Sequence, residues 1–179
     1  MAAKPKIVRN YRRALAPGGT YFFTLVTWQR RPLLQSAEHV SLLRESMRHI
    51  GRKRPFEIQA AVILPDHLHC IMRLPADDSD FSGRWREIKK RFSKQVDART
   101  NKRGERLVWQ RRFFEHMIRD ERDWQAHFDY IHYNPVKHGL ARCAKDWPWS
   151  SFQRAVRLGC YPENWGCEPV DIELGDGLE

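Results

Sequence analysis

The chain of 179 residues predicts an α+β fold, a ferredoxin-like sandwich. In it an antiparallel sheet carries helices on one side, with an additional C-terminal helix. Three observations predict it. Hydrophobic periodicity switches between period two and helical spacing in the order strand, helix, strand, strand, helix, strand, helix. Turn residues such as Pro17-Gly18-Gly19 and Pro65-Asp66 punctuate the segments. The length suits one domain with a real core.

Thr20 to Trp28 is rich in aromatic and β-branched residues and reads as the first strand. Residues 36–52 read as a helix: Ser36 serves as N-cap, Gly51 as stop, and Val40, Leu43, Met47 and Ile50 fall at helical spacing. Phe56 to Leu64 and Leu68 to Leu74 read as a strand pair joined tightly at Pro65-Asp66. A second helix is expected from Asp80 to about Ala98, with Trp85, Ile88, Phe92 and Val96 on one face. After a basic loop over Asn101 to Arg106, Leu107 to Ile118 supplies the fourth strand. The third helix starts at Asp120 or Asp123 and runs to about Asn134, where Pro135 ends or bends it. Residues 1–19 read as a basic arm, 20–162 as the folded domain and 163–179 as an acidic tail.

Charge divides the chain unevenly. The formal net charge is +10, yet the six acids from Glu163 onward meet no Lys or Arg, so residues 1–162 hold all 32 bases against the other 16 acids. A field of that sign attracts polyphosphates, nucleic acid above all. No segment reaches the roughly 18 apolar residues of a membrane helix, and the basic N-terminus lacks a signal-peptide core. The four cysteines include no Cys-x-x-Cys pair, which argues against a zinc ribbon or a disulfide framework. These features lead us to expect a cytoplasmic, nucleoid-associated protein.

Within Pro65-Asp66-His67-Leu68-His69-Cys70-Ile71, His67 and His69 share one strand face while Leu68 points the other way. Two imidazoles on one face are half of a divalent metal site. Asp129-Tyr130-Ile131-His132-Tyr133-Asn134 adds a phenol and, four residues later, an amide on nearly the same line of a helix. Trp124, Phe128 and Ile131 form the docking stripe of that helix. Tyr130 and Asn134 lie together on one flank of the stripe, and Tyr133 points out to solvent, which favours Tyr130 at a site. A phenol with a pKa of about 10 is a weak nucleophile unless assisted. An ion held by His67, His69 and Asn134 polarises a phosphate and stabilises the charge built on it; Mg²⁺ or Mn²⁺ suits the mixed donors. Attack by Tyr130 leaves a phosphotyrosine, which a second DNA end can reverse.

The chain resembles the REP-associated tyrosine transposases, a bacterial branch of the single-tyrosine HUH transposases. His67-Leu68-His69 matches the histidine-hydrophobic-histidine motif. Trp85-Arg86-Glu87-Ile88-Lys89-Lys90, Trp109-Gln110, Phe114-Glu115-His116, Asp129 to Gly139 and Trp147-Pro148-Trp149-Ser150-Ser151 follow in order. The resemblance implies a metal-dependent endonuclease and strand transferase. It would cut single-stranded DNA beside an imperfect palindromic hairpin, join Tyr130 to a 5′-phosphate, free a 3′-hydroxyl and work as a monomer. It also implies His67 and His69 as metal ligands. Insertion-sequence relatives place a glutamine where Asn134 stands, so the third ligand stays open between Asn134 and His127. Arg84, Arg86, Lys89, Lys90, Arg91, Lys94, Arg103, Arg111, Arg112 and Lys137 are the expected DNA contacts, mostly to phosphates.

Two other readings compete. One keeps the fold as a catalytically silent hairpin-binding module; the other makes Tyr21, Phe22 and Phe23 an RNA-stacking surface. The acidic tail reads either as a solubilising end or as a cover competing with DNA for the basic groove.

Overall fold

A computed structural model describes residues 15–172; the first fourteen residues of the basic arm, and Glu173, Asp176 and Glu179 of the acidic tail, lie outside the described residues. Four strands form one antiparallel sheet in the order β2-β3-β1-β4: β1 (Thr20–Val26), β2 (Glu57–Ile63), β3 (His67–Arg73) and β4 (Phe114–Met117). Helices α1 (Ala37–Lys53) and α2 (Phe81–Gln95) cover one face, and α3 (Glu121–Lys137) with the short α4 (Phe152–Arg157) covers the other. This is the ferredoxin-like order, with both faces of the sheet buried.

Period-two alternation builds both cores. Tyr21, Phe23 and Leu25 of β1, with Leu68, Cys70 and Met72 of β3, pack against Trp85, Ile88 and Phe92 of α2. Phe22 and Ile71 point the other way, to Phe128 and Ile131 of α3. Tyr21, Phe22 and Phe23 are all fully buried, which removes the RNA-stacking reading. Both central helix starts are capped by aspartate: Asp80 accepts from Gly83 N at 2.7 Å, and Asp120 from Asp123 N at 2.9 Å. A Cβ at Gly83 would push aside the Asp80 carboxylate and the Arg54 guanidinium, which meet there.

Several local expectations shift. β4 is shorter than Leu107 to Ile118: Trp109 makes only an isolated bridge to Thr27, and the ladder resumes at Phe114. α3 runs through Pro135 to Lys137, since a proline so near the end forfeits one bond, and the His138 N–H still reaches Asn134 O at 3.0 Å. Residues 149–151 lie along the free edge of β2: Ile63 N donates to Trp149 O and Ser151 N to Ala61 O, each at 2.8 Å. The Trp-Pro-Trp-Ser-Ser motif thus covers a sheet edge.

Packing continues past residue 162, where Trp165 and Ile172 rest on the α3 core. Cys143 and Cys167 form a disulfide against the reading from cysteine spacing, because a separation of 24 residues carries no local signature. Among the described residues no helix is long and apolar enough to cross a membrane.

Candidate functional site

His67 and His69 stand on the central strand β3, on the face that α3 covers. Register decides their neighbours. Thr24 of β1 pairs with His69, and its hydroxyl lies 2.8 Å from His69 Nδ1. The Asp66 carboxylate takes a 2.5 Å hydrogen bond from His67 Nδ1 and is held in turn by Arg30 at 3.1 Å. A carboxylate only accepts, so the His67 proton sits on Nδ1 and the lone pair on Nε2. His69 Nε2 is buried without a partner, and in the tautomer whose Nδ1 donates to the Thr24 hydroxyl it carries the same lone pair.

Electrostatics keep these rings neutral. Burial lowers the His67 pKa, partly offset by Asp66, and burial with the nearby His67 and His138 lowers that of His69 well below its usual value. Burial pulls Asp66 upward, but its hydrogen bonds from His67 and Arg30 outweigh this and keep it ionised. A neutral imidazole with a free Nε2 and a carboxylate behind Nδ1 is the arrangement in which histidine binds a metal.

α3 brings Tyr130 over these rings, with its centroid 5.2 Å from that of His69. The Lys137 ammonium sits 5.3 Å from the Tyr130 ring centroid. Asn134 is fully buried, and both amide atoms lack a hydrogen-bond partner. An orphaned buried amide is costly, roughly 1–3 kcal/mol, unless something on the same helix flank uses it. The two lone-pair imidazoles suit a divalent ion, while Asn134 is not among the residues that line their cleft. The surrounding cleft of about 600 Å³ is lined by Thr24, Arg30, His67, His69, Gln110, Arg112, Phe114, Tyr130 and His138.

A second cleft, about 740 Å³, opens beside it between α2 and the loop before β4. Trp28, Lys89, Lys90, Lys102, Arg103, Arg106 and Arg111 line it, and Gln110 belongs to both clefts. The Lys89 ammonium donates to Gln110 O at 2.8 Å, and burial pushes its pKa down to about 8.

The expected basic residues therefore separate. Lys89, Lys90, Arg103 and Arg111 face the basic cleft, Arg112 faces the histidines, and Lys137 overlies Tyr130. Arg86 and Lys94 are exposed on α2 outside either cleft, and Arg91 pairs with Glu45 at 3.1 Å. Arg84 is not a DNA contact. It is 1 % exposed, and its guanidinium donates to the carbonyls of Arg54, Pro55 and Asp80 and to the Asp78 carboxylate.

His127, the other candidate third ligand, hydrogen-bonds to Asp123 O at 2.7 Å in a different cluster, and the Phe22 ring lies 4.7 Å from it and 5.5 Å from His69. One further expectation is corrected: Tyr133 is half-buried against Trp165 rather than directed to solvent. Residues missed in the sequence are Thr24, Arg30, Asp66 and His138, whose ring is 5.6 Å from that of His67. Asp66 had a signal, standing next to His67, and His138 falls four residues after Asn134. Thr24 had none, because cross-strand register is not written in either segment.

Known proteins resemble this chain over most of its length. A family model described as "Transposase IS200 like" matches residues 17–134. The REP-associated tyrosine transposase of Escherichia coli (strain K12) is 46% identical over 169 residues, covering 94% of this chain and 98% of that protein. The chain belongs to the REP-associated tyrosine transposases of the IS200-like family. A relative from Haemophilus influenzae is 42% identical over 172 residues, covering 92% of this chain and 97% of the relative. A solved REP-associated tyrosine transposase, described as bound to a REP hairpin, superposes with a TM-score of 0.80 at 44% identity, covering 94% of this transposase and 96% of that chain.

Proposed function

We propose that the chain is a metal-dependent transesterase that cuts and rejoins single-stranded DNA beside imperfect palindromic hairpins of the REP type, through a 5′-phosphotyrosine at Tyr130. The observation that carries this reading is the pairing of Tyr130 with two histidines whose Nδ1 atoms are held by Asp66 and Thr24. A pure binding module has no use for that arrangement. His67, His69 and the Asn134 oxygen would hold Mg²⁺ or Mn²⁺, which supplies charge stabilisation at the phosphate.

The chain's own residues do the rest. Tyr130 Oη attacks the scissile phosphorus; its O–P bond forms as the P–O3′ bond breaks, and the proton the phenol gives up balances the one the leaving 3′-oxygen takes up. Arg112, in the same cleft, and Lys137, over the Tyr130 ring, balance the phosphate charge. The cleft of Lys90, Arg103 and Arg111 guides the flanking strand or stem toward Gln110, where the two clefts meet. Tyr130 shares a cleft with His67 and His69 of its own chain, so this reading needs no second copy.

The test is a denaturing-gel assay for a covalent protein–DNA adduct, on labelled single-stranded hairpins with Mn²⁺ or Mg²⁺. An adduct lost in Tyr130→Phe and kept in Tyr133→Phe supports the reading. Tight hairpin binding with no adduct would replace it with the silent binding module.

A further inference from the structure

We propose that His116, Asp123 and His127 form a second divalent-metal site, of the transition-metal class, distinct from the His67–His69 pair. α3 places Asp123 and His127 one turn apart on a single face, and β4 presents His116 to that face through its register with Phe22. One nitrogen of each imidazole and a carboxylate oxygen of Asp123 lie within 4.8 Å of one another. A tetrahedral ion with ligand distances near 2 Å needs its donors about 3–3.5 Å apart, so the donors must close, and because the two rings stack at 4.7 Å and 14° the half-buried His116 ring must also turn.

The bland alternative is an ion-paired clamp. Asp123 Oδ2 already meets His116 Nε2 at 2.8 Å, Arg119 N at 2.9 Å and Arg119 Nε at 3.2 Å, which accounts for His116 and for that oxygen. It does not account for His127. That residue is 2 % exposed, its Nδ1 donates to Asp123 O at 2.7 Å, and the lone pair this leaves on Nε2 is buried with no partner. Asp123 Oδ1 lies 3.3 Å from His127 Nδ1. Buried acceptors are normally satisfied, and an ion held by His127 Nε2 would satisfy that one.

The donors select the ion. Two imidazoles and one carboxylate favour Zn²⁺, Co²⁺ or Ni²⁺ over Mg²⁺. The half-buried His116 gives access from solvent. Such an ion would pin β4 to α3 one turn before Tyr130, and so hold the nucleophile's helix against the sheet.

The test uses the full chain carrying His67→Ala and His69→Ala, titrated with Co²⁺ by visible absorption and calorimetry. One Co²⁺ per chain, a raised melting temperature, and at least tenfold weaker binding on adding His116→Gln support the site. Wild type gives a second measurement, in which His116→Gln should lower the Co²⁺ bound from two per chain to one. No Co²⁺ bound by the His67→Ala, His69→Ala protein, or binding indifferent to both His116→Gln and Asp123→Asn, overturns it. Because His116 is partly exposed, its variant decides the matter if Asp123→Asn fails to fold.

Discussion

Arg84 offers a sharp test of which basic residues build the protein and which meet DNA. Its guanidinium donates to Arg54 O at 3.3 Å, Pro55 O at 2.8 and 3.2 Å, Asp80 O at 2.9 Å and Asp78 Oδ2 at 2.7 Å. Truncation to alanine leaves three backbone carbonyls without these donors and a carboxylate without its cation. Breaking a buried ion pair from one side costs about 3–5 kcal/mol, and the partial exposure of Asp78 argues for the lower end. For a domain of this size each kcal/mol moves the midpoint by roughly 2–4 °C, so Arg84→Ala should melt some 6–15 °C below wild type. Arg84→Lys should recover little, since a point charge cannot reach all these acceptors. Lys90→Ala, on the exposed side of α2, should stay within about 0.5 kcal/mol of wild type. Calorimetric melts of the three variants, with hairpin affinity measured well below each midpoint, check this. An Arg84→Ala protein that melts like wild type but binds hairpin DNA poorly would refute the argument and restore Arg84 as a phosphate contact.

Neutralising Lys90, Arg111 and Arg112 together should weaken hairpin binding and reduce the salt slope by about 0.7–0.9 per lost phosphate contact; an unchanged slope in a salt titration would exclude the clefts as the DNA path. Asp66→Asn and Thr24→Val should each weaken Mn²⁺ binding about 10–100-fold while leaving Tyr130 untouched, measured by calorimetry on the DNA-free protein. Acid stability should fall as pH drops from near 4 toward 2. Arg84 and the Asp80 N–H hold Asp78 down to about 2; at Asp123 burial pushes upward, but bonds from His116 and Arg119 bring it to about 2 as well. Both carboxylates are ionised in the folded state above those values, so their contribution is present above pH 4 and lost as protonation overtakes the folded pKa. Circular dichroism from pH 5 to 2 checks this, and Arg84→Ala should remove the Asp78 share.

Much of this protein was written locally. The order of strands and helices, the Ser36 and Asp120 caps, the tight connection at Pro65-Asp66, the shared face of His67 and His69, and Tyr130 with Asn134 on one flank all follow from periods of 2 and 3.6 and from turn chemistry. Tertiary structure alone decided what each side chain met. Thr24 came to His69 through strand register, His127 went to His116 and Asp123, and Cys167 returned to Cys143 across 24 residues. Arg84 looked like its basic neighbours until the Arg54-Pro55 carbonyls, thirty residues earlier, closed over it. The physical reason is common to all four: period tells which way a side chain points, whereas its partner and its loss of water depend on segments far away in the chain.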